Sequence, residues 1–125
     1  MLANATAMTT LPAHDMARAM AFFRDKLGLR PQRETEAGML YQCGDSWFFL
    51  YETQYAGTAQ NTAMSFLVED VDAEVAALKR AGVVFEEYDF PGLKTVNSIA
   101  DLNGERSAWF KDTEGNILSV SQLST

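Results

Sequence analysis

A chain with one histidine, His14, and one cysteine, Cys43, leaves few catalytic chemistries open. No Ser-His-acid or Cys-His pair can be argued around a lone imidazole at position 14. No glycine-rich phosphate loop is present. Cys43 has no His or Lys adjacent in sequence to lower its thiol pKa, and it reads as a small apolar strand residue. His14 precedes a helix start and reads as a solvent-exposed turn residue rather than a ligand. Aromatic rings and hydroxyls remain. Trp47, Phe49 and Tyr51 recur at every second position, as do Ser107 and Trp109, and Ser119 and Ser121. In a strand that spacing places each set on one face.

The elements that must position these residues are legible from periodicity. Residues 15–27 read as a helix with Asp15 as N-cap and a stripe of Met16, Ala19, Met20, Phe23 and Leu27, stopped by Gly28. A second helix spans 71–81, capped by Asp70, striped by Val71, Val75 and Leu78, and ended by Gly82. Asp72 and Glu74 in its first turn, and Lys79 and Arg80 in its last, suit the helix dipole. Strands are expected at 7–11, 32–36, 39–43 and 46–53 around the first helix. Around the second they are expected at 62–68, 83–88, 105–111 and 117–122. Gly44-Asp45 and Glu114-Gly115-Asn116 mark tight turns, and 55–61 reads as a linker.

The same unit is therefore written twice: strand, helix, strand, strand, strand. Asp15-Met-Ala-Arg-Ala-Met aligns with Asp70-Val-Asp-Ala-Glu-Val, and Leu27-Gly28-Leu29 with Ala81-Gly82-Val83. Each half has an apolar helix face that it cannot bury alone, so the halves must pair. The fold class is α+β, with two tandem βαβββ modules over 5–54 and 62–122 of a single domain. A ferredoxin-like sandwich is the competing architecture, but it leaves two strands after the first helix where the turn signals give three.

Composition narrows the partners. The 125 residues carry 10 Lys and Arg against 17 Asp and Glu, a net charge of −7, with 47% apolar and 11% aromatic content. That is the make-up of a packed globule rather than a disordered tail. The acidity argues against nucleic acid, which needs a basic face. The longest strongly apolar run, 47–51, is too short for a bilayer, and the first residues lack the basic segment and apolar run of a signal peptide. One Cys forms no internal disulfide and permits a reducing compartment, so a cytoplasmic location is expected. Residues 1–62 carry 5 basic and 6 acidic side chains, whereas 63–125 carry 5 and 11. That asymmetry suits either a solvated surface or an acidic mouth for a cationic small molecule.

Three segments resemble the vicinal oxygen chelate superfamily, which includes glyoxalase I, extradiol dioxygenases and bleomycin-resistance proteins. They are Leu11-Pro-Ala-His-Asp-Met-Ala-Arg-Ala-Met-Ala-Phe-Phe-Arg-Asp-Lys-Leu-Gly-Leu29, Phe66-Leu-Val-Glu-Asp-Val-Asp-Ala-Glu-Val-Ala-Ala-Leu-Lys-Arg-Ala-Gly82 and Ala108-Trp-Phe-Lys-Asp-Thr-Glu-Gly-Asn-Ile-Leu118. The resemblance implies curved half-barrels that enclose a cavity, with homodimers in which both protomers contribute to it. Metal-dependent members place four His or Glu side chains toward that cavity. Carried over by strand register, the four positions fall on Met8, Phe49 (or Phe48, one residue out), Ala63 and Ser119. A thioether, an arene, a methyl and a hydroxyl are not a donor set for zinc, nickel or iron. No metal or cofactor is therefore expected, unless carboxylates such as Glu52 or Glu105 take over in another register.

With that register, Met8, Thr10, Trp47, Phe49, Tyr51, Ala63, Ser65, Trp109, Ser119 and Ser121 line the cavity, together with Leu67, Ser107 and Ile117. Phe48, Leu50, Met64, Phe66, Val68, Ala108, Phe110, Leu118 and Val120 face the helices. Aromatic walls with scattered hydroxyls suit flat or amphipathic organic ligands, although the same rings would equally fill a sheet core or a dimer interface. Tyr41 and Tyr88 are further phenolic candidates, and the stretch 90–94 is a turn or a cover for the cavity mouth.

The resemblance is strongest to the bleomycin-resistance branch, over 11–23 and 37–45. It implies a metal-free protein that sequesters an aromatic or cationic drug-like ligand, with catalytic residues: none. The alternative is a glyoxalase-like lyase or dioxygenase-related enzyme with an unrecognised site, and a regulatory dimer with a collapsed cavity is a third.

Overall fold

Two aspartates start the two helices. In a computed structural model that describes residues 1–123, Asp15 is extended and its carboxylate accepts the Arg18 N–H at 3.0 Å, while Asp70 accepts the Ala73 N–H at 3.1 Å. Each carboxylate satisfies a donor that the first helical turn leaves without a partner. Helix α1 (Met16–Leu27) stops at Gly28 with φ +73°, a left-handed conformation that glycine adopts without strain. Helix α2 (Val71–Arg80) ends one residue before the expected limit, with Ala81 as its cap.

Around them lie β1 (Thr9–Ala13), β2 (Arg33–Glu34), β3 (Met39–Cys43), β4 (Ser46–Glu52), β5 (Thr62–Leu67), β6 (Asp89–Phe90), β7 (Leu93–Lys94), β8 (Ala100–Leu102), β9 (Glu105–Lys111) and β10 (Ile117–Gln122). They form two four-stranded sheets, ordered β1-β4-β3-β2 and β5-β10-β9-β8, with β6 and β7 as a separate hairpin. In each sheet the first strand pairs parallel with the last, and the remaining pairs are antiparallel. The α+β architecture of two tandem βαβββ units, with three strands after each helix, is what the sequence pattern predicts; a ferredoxin-like sandwich is excluded. No helix among the described residues is long and apolar enough to cross a membrane.

One core serves both sheets. Helix α1 buries Ala19 and Phe23, and the Phe23 ring meets Tyr41 at 5.5 Å and Phe48 at 5.6 Å. Phe22 reaches the second sheet, 6.4 Å from Phe110. Helix α2 buries Val71 and Val75. Leu11, Phe48 and Leu50 on the first sheet, and Ala108, Phe110, Leu118 and Val120 on the second, point into this core. The helix-facing assignment made from alternation holds for these residues apart from Leu11, which alternation leaves unplaced. Tyr41 also lies there, stacked on Phe48 at 4.8 Å, so it is a core residue and not a ligand donor.

The strand expected at 32–36 contracts to Arg33–Glu34, those at 46–53 and 62–68 end one residue early, and two departures are larger. The first strand begins at Thr9 and runs to Ala13, through Pro12. Because β1 is an edge strand, proline's missing N–H costs no ladder bond on its open side. The expected strand at 83–88 is a loop with one bridge, Phe85 to Phe110, and one backbone bond, from the Glu86 N–H to the Trp109 carbonyl. Val83 and Phe85 are buried and Val84 is exposed, so alternation is present without a ladder. Glu87 instead holds the following loop, accepting from the Thr95 hydroxyl at 2.5 Å and the Ser98 N–H at 3.1 Å. The outer strand of the second sheet is β8, turned onto β9 by Asn103-Gly104 with φ of +57° and +91°. Asn-Gly is the favoured dipeptide for such a turn, and it was the available signal.

The two modules are joined by an ion pair and a set of caps. The hairpin β3–β4 turns through two residues, Gly44-Asp45, whereas β9–β10 turns through five, Asp112 to Asn116. The longer turn is pinned internally by Asp112, which accepts the Glu114 and Asn116 N–H groups at 2.9 Å each. It reaches the first module twice. Asn116 donates to the Pro12 carbonyl at 2.8 Å. Glu114, its side chain fully buried, accepts the Arg18 guanidinium in a fork at 2.8 and 3.0 Å and the His14 and Asp15 N–H groups at 2.9 Å. Gly57 of the linker lies flat on this turn; a side chain there would meet the Glu114 carbonyl at 2.8 Å. Burial alone raises the Glu114 pKa, but the bonds from Arg18, Asp15, Thr113 and His14 outweigh it and lower the carboxyl from 4.5 to about 2.

Two outcomes follow for stability. Glu114→Gln leaves Arg18 without its charged partner and lowers the unfolding free energy by about 2–3 kcal/mol at pH 7 in chemical denaturation. The folded-state pKa of Glu114 is depressed, so its contribution is complete above the unfolded value and is lost as pH falls. The gap between the two proteins therefore closes between pH 4.5 and about pH 2. Tyr41→Phe removes a buried hydroxyl that has no partner among the described residues, and is expected to raise stability by about 1 kcal/mol in the same assay.

Candidate functional site

The shared core claims one face of every long strand, and the ten residues expected to line a cavity lie mostly on the other. On the first sheet the register sets Thr10 beside Phe49, Phe49 beside Leu40, and Leu40 beside Arg33. These four form a row across the four strands, because cross-strand partners share a face. Gln42 stands beside Trp47 in the next row. Tyr51 lies one step further along β4, opposite Pro12. Met8, immediately before β1, is exposed. Trp47, Phe49 and Tyr51 are half-buried while Phe48 and Leu50 between them are fully buried.

A shallow depression of about 630 Å³ covers this face, bounded by Met8, Leu40, Trp47 and Phe49 with Gln32, Arg33 and Thr35. The edge of Phe49 is set by Gly38, where an added Cβ would fall 3.0 Å from the ring and overlap the Leu50 carbonyl oxygen. Gly38 is in turn held by the Thr35 hydroxyl, which donates to its carbonyl at 3.0 Å.

On the second sheet, hydroxyls take the place of rings. Ser119 pairs with Ser65 on one side and Trp109 on the other, and Ser121 with Leu67 and Ser107. The Ser119 hydroxyl donates to Ser65 at 2.5 Å, Ser107 and Ser121 lie 2.8 Å apart, and Ser119 and Ser121 3.4 Å apart. Four serines thus form a continuous hydroxyl track. Ser119 is buried within it, at 2% exposure. The Trp109 indole donates to the Thr62 hydroxyl at 3.1 Å. Ala63 falls where the β5–β10 register slips, opposite neither Ile117 nor Leu118, and is exposed. Such bulges re-aim neighbouring side chains, and here Thr62 rather than Ala63 meets Trp109. Tyr88, unplaced by sequence, sets its ring 5.5 Å from Trp109, and Phe90 in the β6–β7 hairpin lies 5.7 Å from Tyr88. The stretch 90–94 is therefore a hairpin, turned at Gly92, that continues the aromatic edge of Trp109.

The expected residues thus divide into two half-faces within one chain. Met8, Thr10, Trp47, Phe49 and Tyr51 belong to the first sheet. Ser65, Trp109, Ser119 and Ser121, with Ala63 at the bulge, belong to the second. The depression over the first half-face has no wall from the second module. Trp47 and Ser65 do meet across a larger cleft of about 910 Å³, floored by Phe48, Met64, Phe66 and Leu78. Sequence reasoning placed the rings and serines but passed over Arg33, Leu40 and Gln42. Those three follow from the β3–β4 turn, which fixes the register of β3 and β2 on the same face.

The four positions carried over as metal ligands do not supply a metal's donors. Phe49 and Ala63 have no donor atom, Met8 offers a thioether, and the Ser119 hydroxyl is engaged with Ser65. Among the described residues no three His, Cys, Asp or Glu side chains gather as a metal site. His14 is exposed, with its backbone N–H bound to Glu114. Burial pushes the Cys43 thiol up, which suits a packing residue rather than a nucleophile.

Among curated proteins, none matches the sequence. Several solved structures share the fold. A glyoxalase/bleomycin resistance protein from Catenulispora acidiphila is 22% identical with a TM-score of 0.67, covering 95% of this chain and 98% of that one. A lactoylglutathione lyase from Agrobacterium tumefaciens is 22% identical with a TM-score of 0.69, covering 98% and 96%. A bleomycin-binding protein complexed with bleomycin is 19% identical with a TM-score of 0.73, covering 95% and 98%. The family model of the Glyoxalase/Bleomycin resistance protein/Dioxygenase superfamily matches residues 5–120. With the paired βαβββ sheets and the two ring-and-hydroxyl half-faces they carry, that match over nearly the whole length places this chain within the glyoxalase/bleomycin resistance protein/dioxygenase superfamily.

Proposed function

We propose that the protein is a metal-free binder of flat, drug-like organic molecules, held by stacking on Trp47 and Phe49 and oriented by hydroxyls. The observation that carries this reading is the set of half-buried rings, Trp47, Phe49 and Tyr51, on the sheet face turned away from the core, with Phe49 at a position where metal-dependent relatives need a donor. Rings in such settings offer large apolar area at low entropic cost, and a few polar groups fix orientation. The likeness to a bleomycin-binding protein supports it at the level of fold. The likeness to a lactoylglutathione lyase raises an enzyme of that kind as the other reading, but no donor set for its chemistry is assembled among the described residues.

The two half-faces face away from their common core; the larger cleft brings Trp47 to Ser65, but the depression over Phe49 has no wall from the second module. A homodimer that lays the serine track of one protomer over the rings of the other completes the site in this reading. Sedimentation equilibrium is then expected to give about twice the 13.8 kDa of the chain. A monomer at all concentrations contradicts the dimer.

Binding is read by fluorescence. The chain has two tryptophans, Trp47 and Trp109, so Trp109→Phe leaves Trp47 as the single indole. Its emission is expected to change saturably when flat aromatic drugs, and separately bleomycin, are titrated. Phe49→Ala is expected to weaken that binding about tenfold, the loss of one stacked ring. No saturable change across such a panel overturns the reading.

A further inference from the structure

The net charge of −7 suggests that a ligand should be a cation. At the ring-lined depression the charges are not where that requires them; Asp45 and Glu74 edge the larger cleft instead. Glu114 and Asp112 are buried in the β9–β10 turn, Asp72 is paired with Arg106, and Glu87 is bound by Thr95 and Ser98. The depression over the first sheet is bounded by no carboxylate at all. Its one charged side chain is Arg33. Arg33 forms no ion pair within 4.0 Å among the described residues, whose pairs are Arg18–Glu114, Arg24–Asp25 and Arg106–Asp72. Its neighbour Glu34 is partnered with Met39 in the register, which turns it to the opposite face of β2.

Arg33 is also in the row that carries Phe49. Thr10, Phe49, Leu40 and Arg33 are successive cross-strand partners, so two strand spacings, about 10 Å between Cα positions, separate Phe49 from Arg33. The Thr35–Gly38 turn that fixes the Phe49 edge also fixes the end of β2 from which Arg33 projects. An aromatic face and a guanidinium whose backbone anchors lie at that separation can span a planar ring system with an acidic group on its rim. Guanidinium is the side chain best suited to a carboxylate, which it grips through two parallel N–H bonds.

We infer that the ligand of the ring-lined depression is a planar aromatic anion, an aryl carboxylate, whose ring stacks on Phe49 and Trp47 while Arg33 holds its carboxylate. The inference rests on the proposal that this face binds flat organic molecules, and it names the chemical class. The neutral serines of the second half-face are compatible with it, since hydroxyls can donate to a carboxylate as readily as they bind one another.

The test compares three probes that share a ring and differ in charge: 2-naphthoate, 2-naphthamide and 2-naphthylmethylammonium, titrated calorimetrically into the full chain. The naphthoate is expected to bind at least tenfold more tightly than the amide, with the ammonium weakest, and its advantage is expected to shrink as salt is raised. Arg33→Gln is expected to bring the naphthoate down to the affinity of the amide, and Arg33→Lys to restore part of the difference. Arg33 is exposed, so both variants should retain the far-ultraviolet spectrum of the parent. Equal binding of the three probes, tighter binding of the ammonium, or a naphthoate affinity untouched by Arg33→Gln overturns the aryl carboxylate and leaves the flat-ligand reading standing. Failure of all three to bind overturns both.

Discussion

One constraint organises this molecule: every long strand has two faces, and a single core takes one of them. Phe48 and Leu50 are buried beneath α1, and Ala108, Phe110, Leu118 and Val120 fill the same core from the second sheet. The pleat has a period of two, so the residues between them cannot share that core. Trp47, Phe49 and Tyr51 are turned out on one sheet, and Ser107, Trp109, Ser119 and Ser121 on the other. A one-residue slip in the second sheet would bury the serines and expose Phe110 and Val120. The character of the outer face is thus set by what the core excludes.

The second requirement is that the two sheets stand in a fixed relation. That is the work of the five-residue turn between β9 and β10. Its Glu114 is buried, accepts the Arg18 guanidinium and caps two N–H groups at the start of α1, and Asn116 binds the edge strand through Pro12. A buried carboxylate is costly unless all its acceptor positions are used, and here they are. The two-residue turn of the first module offers nothing equivalent, so the pseudo-symmetry of the two halves is broken at the point where they are joined.

Much of this is written locally in the sequence. Asp15, Asp70, Gly28, Gly44-Asp45 and the strand alternation give both helices, both long hairpins and the split between core and outer faces. The misread strand at 83–88 shows what local pattern lacks. Val83 and Phe85 alternate with Val84 as a strand would, yet the ladder on that side of β9 is taken by 100–102, and nothing in the alternation tells which of two segments wins. The Asn103-Gly104 dipeptide carried that information. The bulge at Ala63, the burial of Tyr41 and the bond of Trp109 to Thr62 depend on which strand lies alongside, so no single segment reveals them. The membership of Arg33 in the row of Phe49 is likewise a property of register across three strands.

The resemblance that links the chain to metal-dependent enzymes makes one property decisive: what stands at the four positions carried over as metal ligands. Met8, Phe49, Ala63 and Ser119 offer a thioether, an arene, a methyl and an engaged hydroxyl. The most direct measurement is the metal content of the purified protein after exposure to zinc, nickel, manganese and ferrous ions and exhaustive dialysis, read by elemental analysis. A metal-free binding face predicts far less than one ion per chain for each metal. One tightly held equivalent of any of them, lost on changing Ser119 or Met8, would contradict it.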